Sequence, residues 1–145
     1  MKISTKGRYA LRMLLDLAEH RNDRFIALKE IAERQNISKQ YLEQIITIIH
    51  NSKILRANRG KQGGYMLAKE PSEITVGYIL RITEGNLSSI ACLEGDINRC
   101  ETAGSCKTLY MWKELNKVIA DYLDSVTLQD ILNKHQEKQI DNYVI

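Results

Sequence analysis

The feature that most restricts this chain is a pair of short apolar periodicities interrupted by a polar turn. Leu28, Ile31 and Ala32 recur at helical spacing within residues 27–35, the pattern breaks at Asn36-Ile37-Ser38, and Leu42, Ile45, Ile46 and Ile49 resume it within 39–51. Helices this short are marginal in isolation, so each must bury one side against a common core. Two of them joined by a tight turn predict a helix-turn-helix, whose second helix offers polar side chains on its free face. Ser38 is placed to cap that second helix, and Lys39, Gln40, Tyr41, Glu43, Gln44 and Thr47 supply the free face.

The flanking segments complete a winged helix. From Ser4 to His20, Tyr9, Ala10, Met13, Leu14, Leu17 and Ala18 form an inward stripe, with Ser4 or Thr5 as cap and Arg8, Arg12, Asp16 and Glu19 on the side expected to face water. Residues 54–57 and 65–68 read as two short strands around Asn58-Arg59-Gly60-Lys61-Gln62-Gly63-Gly64, a cationic wing whose glycines permit tight turns. Pro71 closes the hairpin segment, and Val76 to Glu84 reads as a fourth helix that Thr75 caps and Gly85 ends.

The longest helix is expected over 107–125, with Leu109, Trp112, Leu115, Ile119, Tyr122 and Leu123 along one stripe. At 1.5 Å per residue it extends about 28 Å, more than a small winged helix can cover. The surplus apolar surface predicts a second copy of the chain about a two-fold axis. Thr127-Leu128-Gln129-Asp130 starts a short final helix, and the polar stretch from Asn133 reads as a mobile tail up to Tyr143-Val144-Ile145. The fold class is mainly α: a winged helix-turn-helix over 1–85, a cysteine-bearing loop over 86–106, and a dimerisation helix with its tail over 107–145.

Charge is divided unevenly along the chain. Residues 1–69 carry 14 Lys/Arg against 6 Asp/Glu, and residues 70–145 carry 7 against 12, so a half at +8 precedes a half at −5. A polyanion responds to the local field, which places nucleic acid at the first half. No apolar run approaches the roughly 20 residues of a membrane span, and Met1-Lys2-Ile3-Ser4-Thr5 starts no signal peptide, which predicts a cytoplasmic protein. No Ser/His/Asp constellation, paired-carboxylate motif or phosphate loop points to an enzyme.

Polar residues on a short helix are more often a solvated face than a reading head. Here they precede a three-cation loop at hairpin distance, a pairing that solvation alone does not explain. The expected interface is Ser38, Lys39, Gln40, Tyr41, Glu43 and Gln44 in the major groove, with Arg59, Gly60, Lys61 and Gln62 of the wing on a minor groove or its phosphates. A dimer would read a pseudo-palindromic operator with half-sites about 34 Å apart. Glu43 repels phosphate and gains only by accepting from a cytosine amino group, so it is expected to act as a specificity filter.

Cys92, Cys100 and Cys106 lie within 15 residues of one another, an odd number that forms no disulfide framework. Thiolates held close together on a glycine-containing polar loop suit a soft metal or an iron–sulfur core. Inert buried thiols, or a redox pair with one left over, are the plainer readings, and the polarity of the loop opposes burial. A zinc-binding or thiol-only loop stays open beside the cluster.

Four motifs in order now acquire a common explanation. The opening Met-Lys-Ile-Ser-Thr-Lys-Gly-Arg-Tyr-Ala, the run Tyr41-Leu42-Glu43-Gln44, the wing Arg59-Gly60-x-x-Gly63-Gly64-Tyr65 and the start Thr127-Leu128-x-Asp130 resemble the IscR-type winged-helix regulators, with their relatives NsrR and CymR, over nearly the whole chain. The resemblance implies a homodimeric bacterial transcription factor with a 2Fe-2S cluster on Cys92, Cys100 and Cys106, sensing iron–sulfur status, redox or nitric oxide stress. One departure is plain: IscR-like proteins place a histidine three residues after the last cysteine, where this chain has Leu109. NsrR-like proteins take a ligand from the partner's first helix near the position of Arg8, which cannot serve, leaving Glu94, Asp96, Glu101, a more distant residue or solvent for the fourth position. The alternative that the resemblance implies is a cluster-free, CymR-like repressor of cysteine metabolism, controlled by thiol oxidation or by cysteine synthase docking on the C-terminal Tyr143-Val144-Ile145.

Overall fold

The computed structural model describes residues 1–143, in the order α1 (Thr5–Glu19), α2 (Leu28–Gln35), α3 (Lys39–Ile49), β1 (Leu55–Asn58), β2 (Gly64–Leu67), α4 (Val76–Glu84), α5 (Leu109–Ser125) and α6 (Leu128–Tyr143). Val144 and Ile145, on which the expected C-terminal docking signal partly falls, lie outside the described residues.

Local chemistry sets most boundaries. The Ser4, Ser38 and Thr75 hydroxyls accept from the backbone N–H groups of Gly7, Tyr41 and Tyr78 at 3.2, 3.1 and 3.1 Å, capping α1, α3 and α4. Ala27, which has no capping group, begins α2, and the Glu30 carboxylate accepts from its N–H at 3.2 Å instead. Asn36 ends α2 in the left-handed region (φ 53°), letting the chain turn at once into α3. A short 3-10 turn, His50–Ser52, finishes α3 two residues earlier than the periodicity suggests, and Lys53 (φ 63°) redirects the chain.

β1 and β2 pair antiparallel, Leu55 opposite Leu67 and Asn58 opposite Gly64. Ile26 adds a bridge to Tyr65, with both N–H···O bonds at 2.8 Å, so the segment before α2 runs alongside the wing. A Cβ on Gly64 would collide with the Ile26 carbonyl, which is why this position takes glycine.

The core gathers Ala10, Met13, Leu14 and Leu17 of α1, Leu28 and Ile31 of α2, and Leu42, Ile45 and Ile49 of α3 with Ile54, Leu67, Ile74 and Ile79. Two expectations about the surface are corrected. Asp16, placed on the solvent side of α1, is buried: Arg34 donates to its two oxygens at 3.0 and 2.7 Å and Gln35 Nε2 to one at 2.9 Å, so α1 and α2 are clamped through a carboxylate. The polar stretch after Asn133 is helix rather than a mobile tail, because α6 continues to Tyr143 with its side chains in water. Thr127 and Asp130 cap its start reciprocally, at 2.9 and 3.1 Å, and fully buried Leu128 anchors it to the core.

Candidate nucleic-acid interface and cysteine loop

The second helix of the helix-turn-helix divides cleanly. Leu42, Ile45, Ile46 and Ile49 of α3 are buried, while Lys39, Gln40, Glu43, Gln44 and Thr47 are exposed and Ser38 caps the end from which they project. Lys39 Nζ lies 3.9 Å from Glu43 Oε1, a surface pair that offsets the carboxylate's negative field on an otherwise receptive face. Tyr41 differs from its neighbours: half-buried, its ring meets that of Tyr9 edge-to-face at 5.7 Å. Its packing role was not legible locally, since Tyr9 lies on α1.

Arg12, expected on the side of α1 that faces water, joins this corner. Its guanidinium stands 5.0 Å over the Tyr9 ring, and its Nε donates to Gln35 Oε1 at 3.3 Å, at the end of α2 that precedes the turn. The wing tip carries Arg59, Gly60, Lys61 and Gln62, all exposed. Gly60 adopts φ 107° and its carbonyl accepts from Gly63 N–H at 3.0 Å, closing a turn that projects both cations outward. Arg56, on the strand behind them, leans over Phe25 at 6.0 Å.

The three cysteines are free thiols on the segment between α4 and α5, Cys92 half-buried and Cys100 and Cys106 exposed. Cys92 and Cys100 line one hollow of about 800 Å³ together with Glu94, Asp96 and Arg99, whereas Cys106 and Glu101 stand outside it. The Thr102 hydroxyl, 3.2 Å from Cys100 Sγ, together with its backbone N–H holds that thiol below the ordinary cysteine range; the neighbouring Cys106 and slight burial oppose it. Thr108, 3.5 Å from Cys106 Sγ, lowers the second thiol in the same way. Asn98 Oδ1 accepts from the Cys100 N–H at 2.9 Å, and its buried Nδ2 is a donor without an acceptor.

Soft sulfur donors, two of them with lowered pKa values, and an unpartnered N–H donor fit the chemistry of an iron–sulfur core. The arrangement does not yet: among the described residues no three potential ligands converge on one point. Of the carboxylates considered for a fourth ligand, Glu94 and Asp96 share the hollow and Glu101 does not. Leu109 opens α5 half-buried, and the Arg8 guanidinium donates to Thr5 at 3.1 Å.

The long helix carries two apolar stripes where one was expected. α5 packs against α4, and Leu109, Trp112, Ile119 and Leu123 form its half-buried stripe, while Met111, Leu115, Val118 and Tyr122 are exposed, the last two 64% and 66%. The expected single stripe therefore splits, Leu115 and Tyr122 belonging to the outer one. Arg81 fixes the far end of α5 to α4 through both oxygens of Asp124, at 2.6 and 2.9 Å.

With this geometry in view, similarity to known proteins is informative. Residues 3–134 match the model of the Rrf2 family, described as an iron-dependent transcriptional regulator. CymR of Bacillus subtilis (strain 168) is 38% identical over 131 residues, covering 90% of this chain and 89% of that protein. IscR of Pectobacterium atrosepticum is 32% identical over 136 residues, covering 94% and 82%. Among solved structures, that of CymR, the global cysteine regulator of B. subtilis, is similar with a TM-score of 0.75 at 35% identity, over 92% of this chain and 98% of that one. T. potens IscR is similar with a TM-score of 0.73 at 38% identity, over 96% and 91%. No helix among the described residues is long and apolar enough to cross a membrane. A winged helix-turn-helix with an exposed polar face on α3, matched along most of its length by regulators, places the chain in the Rrf2 family of DNA-binding transcriptional regulators, which are not enzymes.

Proposed function

We propose that this regulator works as a homodimer whose two α3 helices enter successive major grooves of a pseudo-palindromic operator, and whose cysteine loop carries the signal. The observation that supports it best is the outer stripe of α5. Met111, Leu115, Val118 and Tyr122 present a continuous apolar surface that only another apolar surface would cover favourably. Pairing through it sets two recognition helices about one helical turn of DNA apart, roughly 34 Å.

In each half, Gln40 and Gln44 suit adenine edges, Glu43 accepts from cytosine, and Lys39 and the Ser38 end of α3 suit phosphate. Arg59, Lys61 and Gln62 extend the contact through the wing, with the turn at Gly60 permitting close approach. Glu43→Ala is expected to broaden the range of sites bound; a binding-site selection that returns the same sequence preference would disprove the filter.

For the signal, Cys92, Cys100 and Cys106 are the proposed protein ligands of a 2Fe-2S cluster, with Glu94 and Asp96, which line the same hollow as Cys92 and Cys100, as carboxylate candidates for the fourth position. When bound, such a cluster supplies a one-electron redox centre that is sensitive to oxidant and nitric oxide. The chain's own part is to offer three thiols on an exposed loop, two of them held below the ordinary cysteine range, and to close the loop, which biases α5 and with it the spacing of the two α3 helices. Anaerobic purification tests this: visible absorption with stoichiometric iron and sulfide is expected.

A second reading is favoured by the same loop, because its donors do not converge and Leu109 stands where a ligand would be expected. In it the protein is a CymR-like repressor of sulfur metabolism, switched by thiol oxidation or by cysteine synthase. Absence of iron and sulfide, with association of cysteine synthase that is lost on deleting Val144 and Ile145, would select it.

A further inference from the structure

Among the described residues, one side chain distant in sequence makes hydrogen bonds to the cysteine loop. Asn116 sits midway along α5 on its inner side, half-buried. Its Oδ1 accepts from Ser89 N–H at 2.9 Å and from the Ser89 hydroxyl at 2.6 Å, and its Nδ2 donates to Ser88 Oγ at 3.2 Å. Ser88 Oγ in turn donates to the Ile90 carbonyl at 2.7 Å, which shapes the backbone two residues before Cys92.

Nothing comparable exists elsewhere on the loop. Among the described residues, every other hydrogen bond made by residues 86–107 stays within that segment, apart from two at its junction with α5, the Leu109 N–H to Cys106 carbonyl bond and the contact between Cys106 Sγ and the Thr108 hydroxyl. No ion pair among the described residues involves the loop, despite Glu94, Asp96, Arg99 and Glu101. Leu87, Ile90 and Leu93 are half-buried, but apolar contact is non-directional and lets a segment slide. Three directional bonds converging on one amide fix its register.

We propose that Asn116 is the positioning residue that latches the stem of the cysteine loop to α5, so that a change in bonding at Cys92 is felt by the helix through this amide. The neighbouring faces of α5 give the latch its reach. Asn116 lies on the inner side with Trp112, Ile119 and Leu123, and the outer stripe proposed to pair with a second copy runs about 100° away around the same rigid helix. Rotation or translation of α5 imposed at Asn116 therefore appears at the pairing surface. Transmission to DNA rests on the sensing reading above; the latch itself does not.

The test uses iodoacetamide labelling of the full chain in its reduced form, resolved by residue with mass spectrometry. Asn116→Ala should expose Cys92 and raise its labelling rate roughly tenfold, with Cys106 unchanged. Alanine has the higher helix propensity, so α5 is not weakened by the substitution and circular dichroism should be unaltered. Asn116→Asp keeps the acceptor for Ser89 and loses the donor to Ser88, so its rate should fall between the two. The double variant Ser88→Ala/Ser89→Ala removes the same bonds from the loop side and should reproduce the Asn116→Ala rate, which keeps the test intact should the helix variant fold poorly.

A Cys92 rate equal to wild type in both variants overturns the latch. A second arm measures affinity for a duplex that the wild type selects from a random pool, before and after iodoacetamide blocking. The wild-type ratio should fall toward one in Asn116→Ala; a ratio kept at the wild-type value overturns transmission through Asn116. A ratio of one already in the wild type overturns the sensing reading, and leaves the latch to be judged by labelling alone.

Discussion

Asp16 and Arg34 show how a single residue pair orders the DNA-binding half. The carboxylate is fully buried, yet Arg34 and Gln35 satisfy it with three bonds while the guanidinium keeps part of its surface in water. Hydrogen bonding to Asp16 raises the Arg34 pKa above its ordinary value, so the cation persists throughout the accessible pH range. Removing the carboxylate strands these donors: Asp16→Ala is expected to cost about 3 kcal/mol, read as a lower midpoint in chemical denaturation. At Cys100 the same kind of reasoning gives a pH dependence. A depressed thiol value means more thiolate at any pH below it, so the alkylation midpoint of Cys100 should lie below the ordinary value of about 8.5. Thr102→Val removes the largest cause and should move that midpoint upward in a pH series of labelling rates.

Elements convert such residues into surfaces. α3 owes its orientation to what lies beneath it, Leu42, Ile45 and Ile49 in the core, and its receptive face is what remains. α5 behaves differently because no residue of it is fully buried: it packs one stripe on the domain and leaves another open. The outer stripe makes a sharp expectation. Val118→Glu places a carboxylate where an apolar partner surface is proposed, at a position exposed in the single chain, so it should spare the fold and weaken self-association by about 100-fold or more. Sedimentation velocity of the variant checks this; a dimer of undiminished affinity would require another pairing surface.

At the scale of the whole molecule, the uneven charge becomes a geometric statement. The basic half carries α3 and the wing on exposed surface, and the acidic half carries the loop and the two terminal helices. Affinity for DNA should therefore fall steeply with salt as condensed counterions are released. Arg59→Ala removes one proposed phosphate contact and should lower the slope of log K against log salt by about 1, measured by fluorescence anisotropy across a salt series. An unchanged slope would place Arg59 away from phosphate. The stem of the cysteine loop bonds to α5, and α5 packs on α4 of the DNA-binding domain, so the proposed signal at the cysteines would have a short path to both α4 and the proposed pairing surface.

What the chain alone settled is whatever depends on neighbours in sequence. Caps at Ser4, Ser38 and Thr75, the break at Asn36, the glycine turn at Gly60 and the alternation of buried and exposed positions on α3 all arise within a few residues, where periodicity and hydrogen-bonding chemistry act directly. The spacing of Cys92, Cys100 and Cys106 likewise announced a loop of soft donors. Folding decided everything that joins distant residues: that Asp16 is buried because α2 brings Arg34 to it, that Tyr41 rests on Tyr9, and that the apolar residues of α5 divide between α4 and solvent. Sequence also stopped α6 short, since a polar run looks like a tail until buried Leu128 and the Thr127–Asp130 cap hold its first turn and the helix propagates outward. Asn116 carried no local signal at all, for its meaning lies in the two serines, 27 and 28 residues earlier, that only the return of α5 along α4 brings within reach.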